Sequence, residues 1–144
     1  MNAVTLTHLL AATLALALGA WQLIAARRGL RHRAVGYFWV LSMAVAAVSS
    51  FWLTSWLGFA WAGGLSPIHL LSAWTLVSLT VAVRAAMRRD FVRHRRFITG
   101  AYVGLCVAGV FAAASPGRVL NTMLFVELPR LIATGWAGVT MAAL

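Results

Sequence analysis

The four histidines of the chain, His8, His32, His69 and His94, are the residues whose type and spacing point to chemistry. Each lies within or beside a long apolar run. An ionisable side chain inside a membrane span is costly, so it is expected to serve a function. Imidazoles from separate helices can be the axial ligands of a haem iron, and cofactor sites in helical bundles are built from side chains on facing helices. The histidines therefore predict a haem-binding bundle.

The histidines occur in two copies of one pattern. The run Thr7-His8-Leu9-Leu10 matches Ile68-His69-Leu70-Leu71, and Arg31-His32-Arg33 matches Arg93-His94-Arg95 after one inserted residue. Counted over residues 8 to 33, 11 of 26 positions are identical. Apolar helices share Ala and Leu by chance, but not histidines with arginines around them. The pattern indicates an internal repeat.

Two tandem hairpins that enter from the same side are most simply related by a pseudo-two-fold axis along the membrane normal. Such an axis predicts His8 beside His69 at one depth, and His32 beside His94 at another. His8 precedes Arg27 by 19 residues, which is roughly 28 Å of helix. The first pair is therefore expected near the outer boundary and the second near the inner boundary. We predict two haem b groups, one on each pair, with these four histidines as the axial ligands of the iron.

Other roles for the histidines stay open. The inner two could contact lipid phosphate, and the outer two could bridge helices by hydrogen bonds. Zinc or copper on two imidazoles is a poorer alternative, because Cys106 is the only cysteine and no carboxylate stands at the right level.

Small residues and arginines near the histidines fit a porphyrin with two propionates. The small residues, which would relieve crowding, are Ala12, Ala15, Gly19, Gly36, Ala73, Ala101 and Gly104. Arginine binds carboxylates well, and the candidates are Arg31, Arg33, Arg93, Arg95, Arg96 and Arg118. The same arginines could serve only to set membrane orientation.

Composition identifies the elements that must position these residues. The 144-residue chain is 62% hydrophobic, with a mean hydropathy of +0.89, which excludes a soluble domain. Its net charge of +10 comes from twelve arginines and two acids, Asp90 and Glu127. Ten arginines fall in two clusters, Arg27 to Arg33 and Arg84 to Arg96, between apolar runs. This is typical of cytoplasmic loops and does not indicate a nucleic-acid partner.

The predicted fold is an all-α membrane protein, a four-helix transmembrane bundle of two tandem helical hairpins with a short C-terminal interfacial helical segment. A bilayer core takes about 20 helical residues to cross, and four such runs occur: Val4 to Ala26, Ala34 to Leu57, Ser66 to Met87 and Phe97 to Ala114. The bundle is assigned to residues 1–118, with repeat 1 at about 4–57 and repeat 2 at about 66–115.

The tail, residues 119–144, is expected to be interfacial or partly inserted, because Glu127, Pro129 and Arg130 interrupt it. We expect a short helix around Arg118 to Val126 and a second piece after Pro129. Glu127 is expected to pair with Arg118 or Arg130.

The arginine distribution also predicts orientation. The arginine-rich loops are expected in the cytoplasm of a bacterium, and the N-terminus and the 58–65 loop outside the inner membrane. The first apolar run lacks a basic start and is predicted to be a retained transmembrane helix rather than a signal peptide. Interfacial aromatics are expected at the outer boundary, namely Trp52, Trp56 and Trp61.

Several short motifs resemble the bacterial membrane family labelled domain of unknown function 2306. They are Ser66-Pro67-Ile68-His69-Leu70-Leu71-Ser72, Arg93-His94-Arg95-Arg96, Ser115-Pro116-Gly117-Arg118, and His32-Arg33 with Gly36-Tyr37. The likeness covers about residues 5 to 122, and the tail beyond Asn121 is expected to be an addition specific to this chain. The resemblance implies the four-helix fold and the importance of His32, His69 and His94, but no activity.

Two histidine pairs at two depths are also similar in architecture to the transmembrane di-haem b-type cytochromes that pass electrons from ascorbate or quinol. The leading expectation is therefore a membrane cytochrome b for electron transport, and any enzyme activity would be that of a transmembrane oxidoreductase. Expected partners are the lipid bilayer and a quinone or periplasmic redox protein, and a homo-oligomer is left open. The alternatives are a haem-handling or oxidase-assembly helper and a cofactor-free small subunit of a membrane complex.

Overall fold

Four long helices make up most of the chain in the computed structural model, which describes residues 2–25, 29–53 and 67–134. They are α1 (Ala3–Ile24), α2 (Leu30–Ser49), α3 (Pro67–Met87) and α4 (Phe91–Ala114). All four are long and apolar enough to cross a membrane. They pair as an α1·α2 hairpin and an α3·α4 hairpin, and α2 also contacts α3. The predicted all-α fold of two tandem hairpins is confirmed.

Some sequence predictions fall outside the described residues. These are the 58–65 loop, the end of the second span up to Leu57, Arg27 and Arg28, Trp56 and Trp61, and residues 135–144 of the tail.

Helices α2 and α4 begin at earlier residues than predicted. Helix α2 starts at Leu30 rather than Ala34, and α4 starts at Phe91 rather than Phe97. The side chain of Asp90 accepts a hydrogen bond from the backbone N–H of Arg93 at 3.0 Å, which is an N-cap. His32 and His94 therefore lie in the first turns of α2 and α4, and the arginines next to them in the sequence are also helical and not in loops.

The core lies where the helices cross between the two ends of the bundle. Its buried residues come from all four helices and are Ala15, Trp39, Met43, Leu79 and Ala101. The indole Nε1 of Trp39 donates to the main-chain oxygen of Ala15 at 2.9 Å, so α1 and α2 are joined by a hydrogen bond as well as by packing. Small residues let helices approach closely in membranes, where no hydrophobic force acts between them.

The chain forms two compact units, Met1–Cys106 and Val107–Leu144. In the second unit, helix α5 (Val119–Thr122) continues through a π-helical turn (Met123–Glu127) into helical residues 128–134. The expected break at Pro129 is absent from this described segment. Proline removes a donor and crowds the preceding turn, and the wider π turn just before it, with Leu128 N–H bonded to Met123 O, accommodates the ring.

The same unit contains the expected pairing of Glu127. Its carboxylate lies 3.8 Å from the guanidinium of Arg130, with both side chains more than half exposed. An exposed pair of this kind stabilises a helix by at most about 1 kcal/mol.

Candidate functional site

His8 is held by the C-terminal end of α2. Its Nδ1 lies 2.9 Å from the main-chain oxygen of Ala46 and 3.1 Å from the hydroxyl of Ser49. A carbonyl oxygen can only accept, so Nδ1 carries the proton, and the lone pair of the neutral ring is on Nε2. This is how histidines that ligate metals through Nε2 are usually oriented.

His69 is buried on α3, with 7% of its surface exposed. Its ring lies against Phe51, with centroids 5.6 Å apart and ring planes at 38°. Phe51 belongs to a 3₁₀ turn, Ser50–Trp52, that follows α2. His8 and His69 therefore both contact residues 46–51 of the chain.

His94 has the same kind of support as His8, but from the other hairpin. Its Nδ1 lies 2.9 Å from the main-chain oxygen of Ala82 in α3, and it is partly buried. The proton is again on Nδ1, which leaves the lone pair of the neutral ring on Nε2.

His32 differs from its counterpart. Its Nδ1 is buried and has no hydrogen-bond partner in the described part of the chain. The side chain of Gln22 donates to the main-chain oxygen of His32 at 3.0 Å, which joins α1 to the start of α2. Among the described residues, no hydrogen bond connects His32 with His94. His32 and His94 are thus each hydrogen-bonded to a residue of their own hairpin.

The small residues predicted to give a porphyrin room do not all do so. A Cβ on Gly19 would lie against the ring of Tyr102 and 2.7 Å from Nε1 of Trp39. Ala15 is fully buried against the same indole, and Ala73 is exposed. Trp39 and Tyr102 therefore fill the space beside Ala15 and Gly19 that the sequence assigned to the cofactor, between His8 and Gln22 along α1.

A surface groove runs between the start of α1 and the end of α2. Its volume is about 460 Å³, and its lining is almost entirely apolar, formed by Ala3, Val4, Thr7, Ala44, Val45, Val48, Ser49 and Trp52. Ser49 is the residue whose hydroxyl contacts His8. The groove is thus separated from His8 by one side chain, that of Ser49.

A stripe of buried polar side chains on α3 was not predicted from the sequence. Following His69, it consists of Ser72, Thr75 and Ser78, all 9% exposed or less. The hydroxyl of Ser72 lies 2.6 Å from that of Ser50 at the end of α2. Each step of three residues brings the next side chain close to the one before it, but the stripe winds around the helix, so that His69 and Ser78 lie about 180° apart. What could not be seen was which face of α3 turns inward.

No three His, Cys, Asp or Glu side chains come together as a metal site in the described ranges. In these ranges, the candidate ligands of a metal are therefore single imidazoles or pairs of imidazoles.

Four apolar spans paired as two hairpins define a multi-pass α-helical membrane protein, which must contact the lipid bilayer. The chain belongs to the family described as predicted membrane protein (DUF2306), whose profile matches residues 5–143. The match includes the tail, so the expectation that residues beyond Asn121 are an addition to the family was wrong. No curated protein and no solved structure matches the chain significantly.

Proposed function

We propose that the protein is a b-type cytochrome of a bacterial inner membrane, with His8 and His69 as ligands at the outer level and His32 and His94 at the inner level. The observation that carries the proposal is the orientation of His8 and His94. In each, Nδ1 donates to a main-chain oxygen of the partner helix in its hairpin, so that Nε2 carries the lone pair. A main-chain carbonyl fixes the tautomer and raises the basicity of the ligating nitrogen.

The donor set fits haem b better than another metal group. Two imidazoles are sufficient for the axial positions of a porphyrin iron, and haem when bound supplies one-electron chemistry. The apolar helices exclude water from the outer ligands, and the inner ligands lie beside arginines that can bind propionates, such as Arg33 and Arg95. The layer of Trp39 and Tyr102 keeps the two levels apart.

The outer level offers a route for a redox partner. The groove at Thr7 and Ser49 opens between two spans and is lined by apolar side chains. A quinone, which is lipid-soluble, could enter it from the bilayer and approach His8. A periplasmic redox protein would instead meet the outer ends of the helices. Both assignments follow the proposed orientation, with the arginine-rich ends in the cytoplasm.

Spectroscopy of the purified protein tests the proposal. The full chain is expressed with haem precursor supplied, purified in detergent, and examined by reduced-minus-oxidised spectra with pyridine haemochrome quantitation. We expect two b haems per chain. His8→Ala or His69→Ala should remove one, and His32→Ala or His94→Ala the other. Thr13→Ala and Thr80→Ala are matched controls, since both hydroxyls are exposed and bond only to their own helix. A folded protein with no Soret band would overturn the proposal.

A haem-handling helper is the second candidate, and the buried, unpartnered Nδ1 of His32 favours it. A ligand ring that lacks an orienting partner binds haem less firmly than one held by a carbonyl. This alternative predicts less than one haem per chain at the inner level, and transfer of that haem to an acceptor such as apomyoglobin within minutes of mixing.

A further inference from the structure

The turn between α3 and α4 concentrates positive charge at the membrane surface. Residues 88–90 connect two candidate spans, so the turn must lie at a bilayer boundary. Six arginines surround it, all of them exposed: Arg84, Arg88, Arg89, Arg93, Arg95 and Arg96. None of the six forms an ion pair within the described residues, where Glu127–Arg130 is the one pair found. Their guanidinium groups are therefore available to an external anion.

The only acid in the turn does not neutralise them. The Oδ1 of Asp90 accepts from the backbone N–H of Arg93 at 3.0 Å and so caps α4. Helix α4 has no acidic residue in its first turn, and the positive end of its dipole points at the same place as the guanidinium groups. Arginines at a helix start are unfavourable unless an anion is near.

Arg89 occupies a backbone position that favours glycine. Its φ is 62°, and the N–H groups of Arg89 and Asp90 bond to the carbonyls of Ala86 and Ala85. These two bonds make a Schellman motif, in which the left-handed residue after the helix is usually glycine. Any side chain there adds strain, so an arginine at this position suggests that its guanidinium has a use.

Apolar side chains flank the same turn. Met87, Phe91 and Val92 are 79%, 65% and 85% exposed. Side by side with arginines, they form a surface that is apolar and cationic at once. Such a surface matches the boundary of a bilayer, where acyl chains and phosphates lie within one side-chain length of each other.

We propose that the α3–α4 turn, residues 84–96, is a binding site for the headgroup phosphates of anionic phospholipids. The apolar side chains insert among the acyl chains, and the guanidinium groups of Arg88 and Arg89 bind phosphate oxygens, which arginine can do with two donors at once. The site does not depend on haem, and it gives the arginine cluster a ligand in addition to its effect on orientation.

The test uses the full chain in detergent micelles and measures its thermal unfolding midpoint during titration with phosphatidylglycerol or phosphatidylcholine. Arg89→Gly is the most informative variant, because it removes the guanidinium and places glycine where the backbone favours it. Arg88→Gln removes the neighbouring charge. Arg130→Gln is the matched control, since it removes an exposed arginine from another part of the chain. Inorganic phosphate alone is titrated in parallel.

Phosphatidylglycerol should raise the midpoint of the wild type and of Arg130→Gln at concentrations where phosphatidylcholine does not. Each of Arg89→Gly and Arg88→Gln should weaken the apparent affinity for phosphatidylglycerol roughly fivefold, the equivalent of about 1 kcal/mol per arginine. Arg89→Gly should also unfold at or above the wild-type temperature in phosphatidylcholine, so a loss of lipid binding cannot be attributed to misfolding.

Three results would overturn the proposal. One is equal stabilisation by the two lipids. Another is wild-type affinity in both turn variants. The third is a shift of the same size with inorganic phosphate alone, which would indicate a site for a free anion. Haem content is recorded for every variant, and a failure of the lipid site with normal haem spectra would leave the proposed cytochrome function intact.

Discussion

The Nδ1 atom of His94 lies 2.9 Å from the main-chain oxygen of Ala82 on the facing helix. At the matching position of the first hairpin, the Nδ1 of His32 is buried without a hydrogen-bond partner in the described residues. His32 and His94 therefore differ, although the sequence around them is repeated. A hydrogen bond to the facing helix holds the ring of His94, and the ring of His32 has no such bond among the described residues.

This difference predicts unequal effects of replacing the two rings in protein prepared without haem. His94→Phe removes a hydrogen bond between helices and should lower the free energy of unfolding by about 0.6 kcal/mol, and at most about 1.7 kcal/mol. His32→Phe removes a buried polar atom that has no partner and should leave stability unchanged or raise it. Unfolding in mild detergent with increasing denaturing detergent measures both.

Equal destabilisation by the two substitutions would contradict this interpretation, since it would mean that His32 makes a hydrogen bond of similar strength. In haem-loaded protein both variants should lose the inner haem, so the comparison without haem isolates the contribution of the hydrogen bond.

Gly19 is predicted to be required for the packing of α1. A methyl group there would meet the ring of Tyr102 and the indole nitrogen of Trp39. Gly19→Ala should therefore destabilise the protein by about 1 to 3 kcal/mol, as overpacking of a filled core does. Gly100→Ala is the control, because a Cβ at that helix position meets nothing within 4 Å. The thermal midpoint in detergent is the readout, and equal midpoints for the two variants would argue against the close approach.

Trp39→Phe should separate the hydrogen bond of the indole from its packing. The ring change keeps most of the apolar contact but removes the donor to Ala15 O. We expect a loss of about 0.5 to 1.5 kcal/mol in the free energy of unfolding. Tyr102→Phe loses a longer contact, 3.3 Å to Leu16 O, and should cost less. A larger loss of stability for Tyr102→Phe than for Trp39→Phe would contradict the ranking of the two hydrogen bonds by their distances.

The spans could be predicted from the sequence because crossing a bilayer requires a length of apolar helix that few other structures need. The ends of the helices could be predicted less accurately than the spans. The arginine clusters were assigned to loops, whereas Asp90 caps α4 at Phe91, so that Arg93 already lies in its first turn. Asp90 was visible in the sequence, but the spans were assigned from hydropathy, which does not identify an N-cap residue.

The histidines could be found from the repeat, but their surroundings could not. The acceptors Ala46 O and Ala82 O are main-chain atoms, which any residue would supply, so nothing in the sequence marks them. The aromatic layer was missed for a different reason. Small residues on α1 fit a porphyrin or an indole equally well, and only the rotation of α2 brings Trp39 to Ala15.

The hydroxyl groups of Ser50 and Ser72 should couple α2 to α3. They lie 2.6 Å apart and are buried, with exposures of 2% and 7%. A double-mutant cycle with Ser50→Ala and Ser72→Ala should give a coupling energy of about 0.6 kcal/mol, typical of hydrogen bonds between membrane helices. The coupling energy is calculated from the free energies of unfolding of the wild type, the two single variants and the double variant. Strict additivity of the two single effects would show that the pair does not stabilise the α2–α3 contact.

The proposed orientation can be checked with single cysteines in a Cys106→Ala background. Ala3 and Arg88 are both exposed and lie at opposite ends of their hairpins. Because cytoplasmic loops are enriched in arginine, the N-terminus is expected outside and the α3–α4 turn inside. A membrane-impermeant maleimide should thus label Ala3→Cys in intact spheroplasts, and Arg88→Cys only after lysis. The opposite labelling would show that the N-terminus is cytoplasmic and that His32 and His94 lie near the outer surface of the membrane.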